Sequence, residues 1–230
     1  MPGTIKWSVR FQYSATAISL VSLAVNAQSP PPFPRSQDEI AKNFAPYHQL
    51  TTADFPIDDK VHKETSFWLA TFLHYYYHTL SKSTSGGFVY TYVTDWTILS
   101  GLDKNDTSRR SKAGDIKDEL PYAQALLDLN EICARQLAAI TPGDLPAGKG
   151  ESYAAAEADL AVRVKAFCQE RSKPFELEKD AFANQTKNGA NRKKVRELAA
   201  AIRKRLDAVP ATPPPSTTSQ STLGASSPPR

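Results

Sequence analysis

His74 and His78 stand four residues apart in the run H-Y-Y-Y-H. On a helix that spacing puts two imidazoles one turn apart, the usual start of a zinc site. On a strand the same rings point to one side but lie about 13 Å apart, too far to share an ion. The flanking residues are aromatic and β-branched, which reads as strand, so a shared zinc is not expected there. His48 and His62 have no evident third partner, and four histidines in all leave little material for a metal centre. A second polar set, Gln124, Asp128, Glu131 and Arg135, recurs at helical spacing. Glu131 and Arg135 form an ordinary i,i+4 ion pair, and Asp128 with Arg135 predicts a buried pair that anchors the helix. Structural roles are expected for all four rather than acid–base catalysis. Cys133 and Cys168 are the only thiols. They form either a disulfide between two helices or a pair of small buried residues, the first being marginally preferred.

These residues need elements to hold them. The segment 47–55, Y-H-Q-L-T-T-A-D-F, reads as a short strand running into a turn at Pro56. Residues 66–80 and 87–99 read as a β-hairpin joined by the K-S-T-S-G-G turn. Strict alternation would place Phe88, Tyr90, Tyr92, Thr94, Trp96 and Ile98 on one large aromatic face. The charged segment from Asp103 to Gly114 is a loop. From Asp115 the period becomes helical: Ile116, Leu120, Ala123, Leu127, Asn130 and Ala134 form one stripe, and Leu126, Leu129, Cys133, Leu137 and Ile140 a second. A helix apolar over so much of its circumference belongs at the centre of the domain. A second helix starts near Glu151, and a third is marked by Val195, Leu198, Ala199, Ile202 and Leu206. Its other face is basic, which is ordinarily a solvated face, and it has no aromatic residue to stack on a base. Nucleic-acid binding is not expected. Strands first and helices afterwards imply an α+β fold, an antiparallel hairpin or small sheet packed against about three C-terminal helices.

The 230 residues suit one domain with unstructured ends, because the 17 prolines bunch at residues 30–34 and again after Val209. Residues 1–27 carry Lys6 and Arg10, no acid, an apolar run from Thr16 to Val25, and the small residues Val25 and Ala27 at a cleavage position. That is the pattern of a secretory signal peptide. Its apolar run is about ten residues against the ~20 that a bilayer demands, so no membrane span is expected after cleavage. The expected division is leader 1–27, Pro-rich linker 28–44, folded domain 45–208 and Pro/Ser/Thr-rich tail 209–230. Of the net charge of +4, two units leave with Lys6 and Arg10, 4 − 2 = 2, so the mature chain is only mildly basic. A periplasmic or extracellular location follows, where a disulfide is permitted.

The helix L-P-Y-A-Q-A-L-L-D-L-N-E-I-C-A-R-Q-L resembles a family of exported bacterial domains of unknown function labelled as zinc-dependent proteases. Its frame there is H-E-Q-G-H-F-D-[IL]-A-E-[LI]-Y-A-R-[KR]-L. Gln124, Asp128, Glu131, Ala134, Arg135 and Leu137 match without a gap. L-T-T-A-D-F, residues 50–55, matches the family's upstream L-T-x-x-D-F, and F-A-N-Q-T-K-N-G-A-N, residues 182–191, is similar to its Y-D-x-x-T-x-H-G-x-N through Thr186, Gly189 and Asn191. The resemblance covers roughly residues 47–206 and implies a zincin-like fold.

The family's chemistry is not carried over with the frame. A zinc peptidase needs two histidines one turn apart, a third ligand, and a glutamate that takes the proton from metal-bound water. At the matching positions stand Tyr122 and Leu126, Asn188 as the third ligand, and Ala123 for the glutamate. Leucine and alanine offer no lone pair, and tyrosine ligates only as a phenolate, from a free pKa near ~10. The expectation is a non-catalytic binding or structural protein of the cell envelope, with no cofactor. Its candidate partner is an extended peptide or envelope protein along the hairpin edge. The competing class is an active hydrolase with a non-standard site, either a zinc peptidase with relocated ligands such as His74 and His78 or a metal-free enzyme.

Overall fold

The computed structural model describes residues 43–59, 67–113 and 116–211, with the backbone of two short N-terminal strands, β1 (Ser8–Val9) and β2 (Ala17–Ser19). The rest of the expected leader, the linker up to residue 42, His62 and the tail beyond residue 211 lie outside the described residues.

Among the described residues strands come first and three helices follow, an α+β order. After β3 (Phe44–Pro46) and the two-residue β4 (Phe67–Trp68) come the long partners β5 (Ala70–Ser83) and β6 (Val89–Asp103). β5 and β6 are rich in aromatic and β-branched residues that suit a half-buried pleated surface. Between them Gly87 takes φ +82°, which a side chain would resist. β3 pairs with the far end of β6, and β1 and β2 run parallel to β5 on its outer edge. Gly101 permits the β3 pairing, because a Cβ there would sit 2.0 Å from the Ala45 carbonyl oxygen. A two-residue β7 (Ser108–Arg109) pairs with β4 inside the segment expected to be a plain loop.

The helices are α1 (Leu120–Ala138), α2 (Tyr153–Gln185) and α3 (Arg192–Ala208), with β8 (Gly148–Gly150) on β6 before α2. α1 packs on β5 and β6, and α3 and α2 pack on α1. Every residue from Tyr122 to Ala134 is buried, so α1 is the central helix that its two apolar stripes predict. The helix starts at Leu120 rather than Asp115: Ile116–Asp118 is a separate 3-10 turn, and Pro121, with no N–H to pair, favours a first-turn position.

Two strand expectations are corrected. The strand lies at Phe44–Pro46, and the segment 47–55 is a loop closed by a 3-10 turn at Thr52–Asp54, where Asp54 draws the Thr51 backbone N–H out of any ladder at 2.7 Å. The single aromatic face is also broken. His78 pairs with Asp95 and Thr79 with Val93, so Thr94 is an extra residue, a β-bulge. One inserted residue reverses the phase of the strand. Val89, Thr91 and Val93 are buried before it, and Trp96, Ile98, Ser100 and Leu102 after it. Phe88 and Tyr92 are left exposed on the other face, with Tyr90 half-buried between them.

Candidate functional site

Tyr122, Ala123 and Leu126 lie on the first two turns of α1, and all three are buried. The structure brings them beside the end of α2, where the Phe182 ring stacks on Tyr122 with centroids 5.2 Å apart and planes 18° from parallel. Where the family frame has a ligand histidine, this chain has an aromatic stack inside the core. Burial pushes the Tyr122 phenol well above its ordinary pKa, which disfavours the phenolate a metal would require. Its hydroxyl has no hydrogen-bond partner, and neither has Oε2 of Glu119 one turn earlier. Burial raises the Glu119 carboxyl, Arg192 opposes that shift and Asp118 adds to it. Arg192 itself pairs with Asp118.

Asn188, the position of the presumed third ligand, lies in the turn between α2 and α3. Lys187 and Asn188 take φ of 53° and 51°, and Gly189 takes 86°. Left-handed backbone of this kind suits asparagine and glycine. The other matched residues of the segment are also turn chemistry. Thr186 Oγ1 donates to the Phe182 carbonyl at 2.7 Å, and the Asn191 side chain caps α3 by accepting from Lys194 N at 3.1 Å. The donor set does not fit zinc: two of the four positions are hydrocarbon, the phenol is held neutral, and the asparagine is a turn residue. Among the described residues no three His, Cys, Asp or Glu side chains group so as to hold a metal ion.

The polar frame of α1 is a scaffold of long-range ties. Gln124 Oε1 accepts from Leu50 N at 2.6 Å, fastening the L-T-T-A-D-F loop to the helix, and Gln124 Nε2 donates to Asp128 Oδ1 at 2.8 Å. Tyr47 Oη also donates to Asp128 Oδ1 at 2.8 Å and receives Arg203 Nη1 at 2.7 Å. Arg203 Nε reaches Asp128 Oδ2 at 3.1 Å. The expected Asp128–Arg135 pair is therefore replaced by Asp128–Arg203, because α3 buries Val195, Ile202 and Leu206 and packs on α1, and Arg203, next to that stripe, reaches the Asp128 carboxylate. Burial raises the Asp128 carboxyl, against the lowering effect of Gln124, Tyr47 and Arg203.

Arg135 holds Glu131 at 2.8 Å, the expected i,i+4 pair. It also donates to the carbonyls of Leu206 and Val209, at 3.3 and 2.9 Å, capping the end of α3. Glu131 accepts in addition from Ser100 on β6. Asp54 turns the loop back on itself, accepting from Thr51 and from His48 Nε2, the latter at 2.9 Å.

Cys133 and Cys168 are free and buried, and burial pushes each thiol up to about 12. This corrects the marginal preference for a disulfide. His74 packs its ring against Phe44 and Phe72, each with centroids 5.2 Å away. His78 is half-buried further along β5. Two residues escaped sequence reasoning. Asn130, read as part of an apolar stripe, donates to the Phe72 carbonyl at 2.8 Å, and the fully buried Lys179 pairs with Glu176 at 3.0 Å. Lys179 continues the buried stripe of Val164, Cys168, Ser172 and Phe175 at steps of three and four, which was the available signal.

No helix among the described residues is long and apolar enough to cross a membrane. Comparison with protein-family models, with curated proteins and with solved structures found no match for the chain.

Proposed function

We propose that this chain is an exported, zincin-like domain that works as a non-catalytic binding module, its peptidase chemistry replaced by packing. The observation that carries the reading is the Tyr122–Phe182 stack at the position of the first ligand histidine, next to Ala123 and Leu126, which are buried with it. The frame around these positions is meanwhile retained as structure: Gln124, Asp128, Glu131 and Arg135 tie α1 to the loop 47–55, to β6 and to α3. A scaffold kept rigid while its reactive groups are hydrocarbon is suited to holding a partner rather than cleaving it. The long hairpin of β5 and β6 is the partner surface, by addition of an extended segment to a sheet edge, which requires no metal. The test is hydrolysis of a general peptide substrate by the purified protein with and without a chelator. No turnover is expected, and chelator-sensitive turnover would overturn the reading.

A further inference from the structure

We infer that the outer face of the hairpin tip docks on an anionic lipid surface, with Lys82 and Lys149 at the headgroups and Leu80, Phe88 and Tyr92 at the acyl boundary. This face is separate from the sheet edge invoked above, and its lipid contact does not depend on that reading.

The G-K-G run of β8 builds the site. α2 packs against β8 so closely that a Cβ at Gly148 would sit 2.1 Å from the Ala156 carbonyl oxygen, and one at Gly150 2.5 Å from the Ala156 nitrogen. A side chain has no room on that side. Successive residues of a strand face opposite ways, so Lys149, between the two glycines, is turned away from α2. Its ammonium lies 4.3 Å from the centroid of the Phe88 ring and 5.7 Å from that of Tyr90. Tyr90 stands opposite Lys149 on one flank and opposite Lys82 of β5 on the other. The row Lys82–Tyr90–Lys149 therefore crosses three strands on one face, with the two lysine Cα atoms about 10 Å apart. Leu80 and Tyr92 form the next row. Leu80, Phe88 and Tyr92 are 41%, 39% and 43% exposed, an apolar surface of the kind that marks a contact site.

Charge selects the occupant. Both lysines are exposed, and among the described residues neither ammonium has an ion pair. Asp159 accepts the Lys149 backbone N–H at 2.9 Å and pairs with Arg163 instead. The first acid along the outer face, Asp95, lies opposite His78 on the far side of the Thr94 bulge. Two uncompensated cations framing exposed apolar side chains complement a surface that is anionic outside and apolar within. At such an interface lysine stems lie along the apolar layer while their ammoniums stay with the headgroups, and tyrosine rings sit at headgroup level. Single-stranded nucleic acid needs open ring faces for its bases, and the Lys149 ammonium already lies over Phe88. A glycan needs amides and carboxylates for its hydroxyls, whereas Phe88 and these two rows supply hydrocarbon, phenol and ammonium.

The test uses the full chain with Ser85→Cys in the hairpin turn, carrying an environment-sensitive nitrobenzoxadiazole dye; the two native thiols are buried. The dye reads the tip alone, so contact made elsewhere on the chain does not move it. Its emission should shift to the blue on phosphatidylglycerol vesicles and stay unchanged on phosphatidylcholine. Each lysine near an anionic surface counts for about fivefold, so Lys82→Gln with Lys149→Gln should weaken vesicle binding about 25-fold. Leu80→Ser with Phe88→Ser, at unchanged charge, should weaken it at least about tenfold. Removing three exposed cations of α3, by Lys193→Gln, Arg196→Gln and Lys204→Gln, should leave the dye's shift in place. No shift on phosphatidylglycerol, or an equal shift on phosphatidylcholine, overturns the docking face. So does a loss from the α3 changes as large as that from Lys82 and Lys149. Tighter binding of oligothymidylate or heparin than of vesicles, dependent on the same two lysines, replaces the lipid with a nucleic acid or a glycan and equally overturns it.

Discussion

Arg203 on α3 meets Asp128 in the middle of α1, Nε to Oδ2 at 3.1 Å, with the carboxylate 2% exposed and the guanidinium 36% exposed. The pair joins the last helix to the central one, and Tyr47 bridges the same two groups from the loop before the hairpin. Removing one partner leaves a buried carboxylate short of its counter-charge, a larger penalty than the pair's net worth. Because Arg203 is on the rim, water offsets part of the loss. Arg203→Met should therefore cost about 2–3 kcal/mol in chemical denaturation, and a cost below about 0.5 kcal/mol, the scale of an ordinary surface pair, would contradict this role.

His48 and Asp54 predict a pH-dependent stability. Burial alone would lower the His48 pKa, but hydrogen bonds to the Pro46 carbonyl and the Asp54 carboxylate outweigh it and raise the value. Burial alone would raise Asp54, but bonds from Thr51 and His48 lower it. The histidine's contribution is complete below about pH 6.5 and fades as pH rises through its higher folded value; the aspartate's is present above about pH 4 and is lost as pH falls through its lower folded value. The stability gap between wild type and His48→Ala should be widest between about pH 4 and 6.5 and shrink toward pH 8. A gap that widens with pH would contradict the pairing.

Tyr122→Phe removes a buried hydroxyl that bonds to nothing while keeping the stack on Phe182. The variant should be more stable than wild type by about 1 kcal/mol. Destabilisation by a similar amount would mean that the hydroxyl has a partner and that the position still does polar work.

The thiols give a chemical test. Cys133 and Cys168 are buried and their ionisation is suppressed, so neither should react with iodoacetamide in the native protein. Denaturation without reductant should then label both. Labelling that requires reductant would mean a disulfide.

The class of fold was legible because long periodic runs fix element type: the hairpin and the central helix both follow from spacing. The Thr94 bulge was not legible, since one inserted residue leaves the local composition of a strand unchanged while reversing every side chain beyond it. The segment 47–55 is a loop and not the strand expected, because Gln124 and Asp54 take up the backbone N–H groups of Leu50 and Thr51, and Gln124 comes from a helix far along the sequence. At the candidate site, alanine at position 123 and leucine at 126 follow from residue type alone, and the structure buries both. The Asp128–Arg203 pair does not: nothing local distinguishes Arg203 from the other cations of α3, and only the packing of α3 on α1 selects it.

Zinc content tests the central claim most directly. The full chain, purified without chelator and dialysed against metal-free buffer, is measured by elemental analysis. With Leu126 and Ala123 unable to ligate and Tyr122 held neutral in the core, zinc should fall far below one ion per chain. About one zinc per chain that survives dialysis would contradict the account.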